Sequence, residues 1–145
     1  MDNYIFTLSI IFLLYSCGNN NLQNPIPKLE IIPSPSTHGG ESNLFVSETE
    51  QVYLSWVEYL NDSTDALLFS KLEQEGWSSP IEIARGSNWF VNWADFPSFV
   101  AYPDYGNSFA AHWLQKSAEG NYDYDIHISQ STDGGTSWDK SFILH

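Results

Sequence analysis

The chain has 145 residues, length for one ordinary domain. Six Trp, eight Tyr and nine Phe bring the aromatic share to 16%, which argues against a disordered chain, because such chains lack the large apolar side chains that build a core. Eighteen Asp and Glu against five Lys and Arg leave a net charge of −13, the wrong sign for gripping nucleic-acid phosphates. The single cysteine, Cys17, rules out an intramolecular disulfide and a Cys-based zinc site.

In chain order, Tyr4 to Tyr15 is an apolar run broken only by Thr7 and Ser9. It is too short to span a bilayer as a helix and suits the core of a signal peptide. It ends in Leu14-Tyr15-Ser16-Cys17-Gly18, which resembles a bacterial lipobox. That resemblance implies cleavage before Cys17, lipidation of its thiol, and an exported protein anchored in the membrane of the cell envelope. Tyr15 and the n-region, with Asp2 and no Lys or Arg, depart from the usual pattern. The other reading of the run is a buried apolar element with a core cysteine. Residues 17–40, rich in Asn and Pro, read as a tether after a signal peptide over 1–16.

From residue 41 short apolar runs alternate with turn residues, so the fold class expected is all-β. Strands are predicted over 43–47, 51–59 and 66–72, the last pair joined by the turn cluster Asn61-Asp62-Ser63. Gly76-Trp77 then leads to a strand over 81–84. The pattern recurs over 97–101, 108–115, 122–131 and 141–144. Trp113 stands where Trp56 stood, and Trp138 where Trp77 stood. These offsets are 57 and 61 residues; four strands per repeat fit the blades of a β-propeller, whose period is roughly 40–50 residues, with the excess taken up by the linker around Trp89–Trp93 and the loop at Ser117–Asn121, and a β-sandwich is the alternative.

One motif is specific. Residues 131–138, Ser-Thr-Asp-Gly-Gly-Thr-Ser-Trp, resemble the Asp box (S-x-D-x-G-x-x-W) of sialidase-type, or BNR-repeat, β-propellers. Ser131, Asp133, Gly135 and Trp138 match its fixed positions. The chemistry expected is structural. Gly134 or Gly135 takes the positive φ of the turn, Asp133 accepts from the turn's own N–H groups, and Trp138 buries its ring while its N–H finds a partner. Ser70, Gly76 and Trp77 look like a worn copy in the first repeat. The resemblance implies two four-stranded blades, over 41–88 and 89–145, at the start of a longer propeller. In such a part-propeller Phe99, Val100 and Leu114 are expected on faces left uncovered.

The linker Trp89-Phe90-Val91-Asn92-Trp93-Ala94-Asp95 sets aromatic plates beside amide and carboxylate groups. Such a mixture suits carbohydrate, whose CH faces stack and whose hydroxyls need hydrogen bonds. The alternative is that the aromatics seal the seam between blades. Trp89, Asn92, Trp93, Asp95 and Arg85 are therefore candidate ligand residues. The resemblance implies exo-sialidase-like glycoside hydrolysis as one activity, which uses arginines, an aspartic acid and a Tyr–Glu pair. Asp95 is the candidate acid. Arg85 is the chain's one arginine, and the first expected inner strand carries none. A non-catalytic glycan- or protein-binding, or scaffold, propeller is the other reading. His38, His112, His127 and His145 do not cluster in the sequence. No cofactor or metal site is expected, although Asp123 and Asp125 alternate in a strand and are of a type that could contribute to Ca²⁺ binding.

Overall fold

The structure, a computed structural model, describes residues 28–103 and 107–144. The apolar run over 4–15, Cys17 and His145 lie outside the described residues. The chain divides into two units, Met1–Glu30 and Ile31–His145, and the second holds all the described strands.

The fold is all-β, with nine strands among the described residues: β1 Gly39–Val46, β2 Val52–Asn61, β3 Thr64–Glu73, β4 Gly76–Trp77, β5 Ile81–Gly86, β6 Ser98–Ala101, β7 Phe109–Lys116, β8 Tyr124–Ser131 and β9 Phe142–Leu144. They form two antiparallel sheets. In the first, β1, β2 and β3 lie side by side, and β4 and then β5 pair with β3. The second runs β6-β7-β8-β9. Local chemistry explains the hairpins. Asn61 Oδ1 accepts from the Ser63 amide at 3.0 Å and its hydroxyl at 3.1 Å, an Asx turn that folds β2 back onto β3. Gly76 takes φ 127° between β3 and β4, a conformation that side chains oppose.

β1 begins at Gly39, inside the segment expected to be tether. The cause is Glu58 on β2, 7% exposed. Its carboxylate accepts from Ser36 Oγ (2.7 Å), Thr37 Oγ1 (2.5 Å), the amides of Thr37 (3.2 Å) and His38 (2.6 Å), and Trp56 Nε1 (2.7 Å). Burial on its own would raise the carboxyl pKa. The hydrogen bonds to Thr37, Ser36, His38 and Trp56 outweigh it and bring the pKa to about 2. Gly39 must be glycine here, since a Cβ would sit 2.6 Å from Val57 O and 2.8 Å from Trp56 Cδ1.

The core lies between the sheets. Tyr53, Leu67, Phe69 and Ile83 of the first sheet meet Phe99, Ala101, Phe109, Ala111 and Trp113 of the second. Strand alternation puts these residues on facing sides. Phe69 stacks on Phe99 at 4.7 Å between centroids, and Phe109 meets both edge-on. This corrects one expectation. Phe99 and Leu114 are buried and only Val100 is exposed, because β6 turns Phe99 toward the first sheet, while the linker runs beside β7 at Leu114. Apolar side chains are exposed elsewhere, at Leu44 and Val46 on β1 and at Phe142, Ile143 and Leu144 on β9.

Candidate functional site

The Asp-box residues form the turn between β8 and β9. Ser131 Oγ donates to Asp133 Oδ1 at 2.8 Å and accepts the Gly135 amide at 2.9 Å. Asp133 Oδ1 takes the Ser137 amide at 2.9 Å, and Oδ2 takes the Ser137 hydroxyl at 2.6 Å. The bonds from Ser137 and Ser131 lower the Asp133 pKa to about 2. Both glycines use positive φ, 74° at Gly134 and 85° at Gly135. Gly135 also does something the motif did not reveal. A Cβ there would lie 2.6 Å from Phe69 Cζ, so the turn presses its backbone onto the first sheet's central ring. Trp138 approaches the same Phe69 and Phe99 rings, edge-on, at 6.3 and 6.5 Å. Its N–H was expected to find a partner and finds none among the described residues. Trp138 Nε1 is buried and unbonded, because the ring is oriented by aromatic edges rather than by an acceptor. Ser70, expected to belong to a worn copy of the motif, is fully buried and its hydroxyl has no partner among the described residues. Glu73-Gln74-Glu75 replaces the Asp-Gly turn whose amide would have reached it.

The linker residues have divergent fates. β6 pairs with β7 only as far as Ser98↔His112. Beyond that point the linker takes over the edge of β7: Phe90 N donates to Leu114 O and Lys116 N to Asn88 O, both at 2.9 Å. Trp89 is thereby driven into the core, 8% exposed, and stacks on Trp113 at 5.8 Å. Trp89 is a core residue. Phe90 stacks on Tyr124 at 4.5 Å.

The chain then turns sharply. Asn92 Oδ1 accepts the amides of Ala94 (2.8 Å) and Asp95 (2.9 Å), while Asn92 Nδ2 donates to Asp95 Oδ2 at 3.1 Å. This Asx turn ejects Trp93, which is 87% exposed. Next to it is a groove of about 460 Å³ lined by Ala94, Asp95, Phe96, Ser98, His112 and Tyr124, with Asn43, Leu114 and Ile126 completing the wall. His112 Nδ1 lies 3.0 Å from Ser98 Oγ, and burial lowers the His112 pKa, which favours its neutral form. The groove thus joins one carboxylate, hydroxyls, an amide and a neutral imidazole to an apolar floor.

Of the candidate ligand residues, Asp95 lines the groove and Asn92 bonds to it, whereas Trp93 stands in solvent on the same turn and Trp89 lies in the core. Arg85 lines no part of the groove. It lies on β5 in an exposed ion pair with Glu82 at 2.6 Å. Asn43, Ser98, His112 and Tyr124 were not foreseen as site residues. The alternation of His112 with Leu114 in β7 was the available signal, since it places both on one sheet face. Among the described residues no three His, Cys, Asp or Glu converge as a metal site. Asp123, offered for Ca²⁺, instead accepts the Gly120 amide at 3.0 Å. Asp125 pairs with Gln115 in the β7–β8 ladder. No family model matches the chain, and no curated protein is significantly similar to it.

Proposed function

We propose that this chain belongs to a sialidase-type β-propeller that binds carbohydrate at the groove beside Trp93 and Asp95, and that it is held at the cell envelope by a lipid on Cys17. The propeller reading is supported by two successive antiparallel meanders packed face to face, by the Asp-box turn that closes the second, and by the matched positions of Trp56 and Trp113. The carbohydrate reading is carried by one observation, the Asx turn over 92–95 that leaves Trp93 in solvent and puts Asp95, two residues on, in the groove lining. Trp93 offers a flat apolar face for sugar CH groups. Asp95, Ser98 and Asn43 offer acceptors and donors for hydroxyls.

Binding is favoured over hydrolysis. Glycoside cleavage uses two carboxyl groups across the scissile bond, and the groove lining contributes Asp95 alone. Hydrolysis by a sialidase-like mechanism would draw its partner groups from outside this lining. The test is a paired melt and glycan titration on Trp93→Ala and Asp95→Asn. Both residues are at the surface or half-buried, so each variant should change stability by about 0.5 kcal/mol or less while weakening glycan binding. If both variants lose stability and leave binding intact, the linker is only a seam and the proposal fails. The anchoring proposal is tested separately by fatty-acid labelling. Cys17→Ser should lose the label, and equal labelling of both forms would refute it.

A further inference from the structure

We infer that the sugar unit taken by this groove carries a protonated amine, as a 2-amino-2-deoxyhexose does, and that sugar acids are rejected. The inference rests on the carbohydrate reading above and concerns the charge of the ligand. Asp95 is the one acidic side chain of the lining. One of its oxygens, Oδ2, is engaged by Asn92 Nδ2, which leaves Oδ1 for a guest. Among the described residues no Lys or Arg lines the groove. Arg85 is committed to Glu82. Lys116 stands opposite Tyr124 in the β7–β8 ladder, outside the lining. His112 is held toward its neutral form by burial. A sugar carboxylate would therefore meet Asp95 with no cation in the lining to offset the repulsion, and would do so in the field of a chain of net charge −13. An ammonium beside the ring gains from both, while Trp93 stacks the ring's apolar face.

The experiment is calorimetric titration of the 145-residue chain at about pH 6, where a sugar amine is protonated, with four probes. These are a glucosamine tetramer, the matching N-acetylglucosamine tetramer, sialyllactose, and spermine as an amine without a sugar ring. We expect the glucosamine tetramer to bind about 3- to 5-fold more tightly than its acetylated form, the gain typical of a half-exposed ion pair, and sialyllactose not to bind. Asp95→Asn should erase the preference for the amine and weaken, without abolishing, binding of the acetylated tetramer. Trp93→Ala should weaken both tetramers, and Lys116→Ala should leave the order of affinities unchanged. Equal affinity for the two tetramers, or tighter binding of sialyllactose, overturns the inference while leaving the carbohydrate reading in place. Spermine binding as tightly as the glucosamine tetramer also overturns it, because the attraction would then be general to amines. No binding of any sugar defeats the carbohydrate reading itself.

Discussion

Gly135→Ala tests how the Asp-box turn is joined to the rest of the protein. Two costs add. At φ 85° a side chain meets its own backbone, a penalty of roughly 1–2 kcal/mol. The new methyl would then lie 2.6 Å from Phe69 Cζ and 2.8 Å from Cε1, well inside the roughly 3.5–4.0 Å of an unstrained carbon contact. Phe69 has little room to retreat, being 2% exposed, stacked on Phe99 and edged by Tyr53 and Phe109. Overpacking of this kind costs about 1–3 kcal/mol, so the total is about 2–5 kcal/mol. Gly134→Ala is the control. Its φ is 74°, but its nearest non-neighbour atom is Asn107 Oδ1 at 3.8 Å, so it should cost only the backbone strain, about 1–2 kcal/mol. Urea unfolding of both variants measures the difference. Phe69→Leu in the Gly135→Ala background should recover part of the loss, as coupled neighbours do. Equal destabilisation by the two glycine variants, with no coupling to Phe69, would show that the turn does not press on the first sheet.

Three further outcomes are expected. The Glu58 carboxyl is lowered from 4.5 to about 2, so its contribution, up to about 3 kcal/mol, is complete above pH 4.5 and lost as pH falls toward 2; Glu58→Gln should flatten this part of the stability–pH profile, and an unchanged profile would refute the clamp. Ser131→Ala should destabilise by roughly 1–2 kcal/mol, since it strands the Gly135 amide, whereas Ser70→Ala should be neutral or slightly stabilising because its hydroxyl is already unbonded; chemical denaturation of the pair decides it. The His112 pKa is depressed by burial, so stability should fall as pH drops below the ordinary histidine range toward the depressed value, and NMR titration should show His112 protonating below that range; a His112 midpoint within it would refute the burial effect.

Much of the strand pattern was legible because alternation and turn chemistry are local. Gln51–Tyr59 could bury one face only as a strand, and Asn61-Asp62-Ser63 marked its end. The turn over 131–138 was legible for the same reason, since every bond of Asp133 goes to a residue within four positions. What escaped is non-local. Glu58 sits among aromatics in the WVEY run, and its donors at Ser36–His38 lie about twenty residues upstream, so composition gave it no role. Trp89 and Trp93 belong to one aromatic cluster, yet one is 8% and the other 87% exposed. Their separation is set by where β6 stops pairing with β7, a property of sheet registry rather than of the linker. The same registry brings Ser98 and His112 to the groove, while Arg85 lies on β5, which pairs with β3 in the other sheet.

The exposed indole beside Asp95 is the centre of the functional account, and its own fluorescence tests it. Of the six tryptophans, Trp56, Trp89 and Trp113 are buried, Trp77 and Trp138 are half-buried, and Trp93 is 87% exposed, so Trp93 is the largest source of water-exposed tryptophan emission. Titration with a glucosamine tetramer should shift the emission to the blue and saturate, because stacking a sugar ring on the indole removes water from it. The shift should vanish in Trp93→Phe, which keeps a stacking plate, while calorimetry on that variant still registers binding. An emission spectrum that does not move at a ligand concentration where calorimetry shows binding, or a shift that persists in Trp93→Phe, would contradict the placement of the ligand at Trp93.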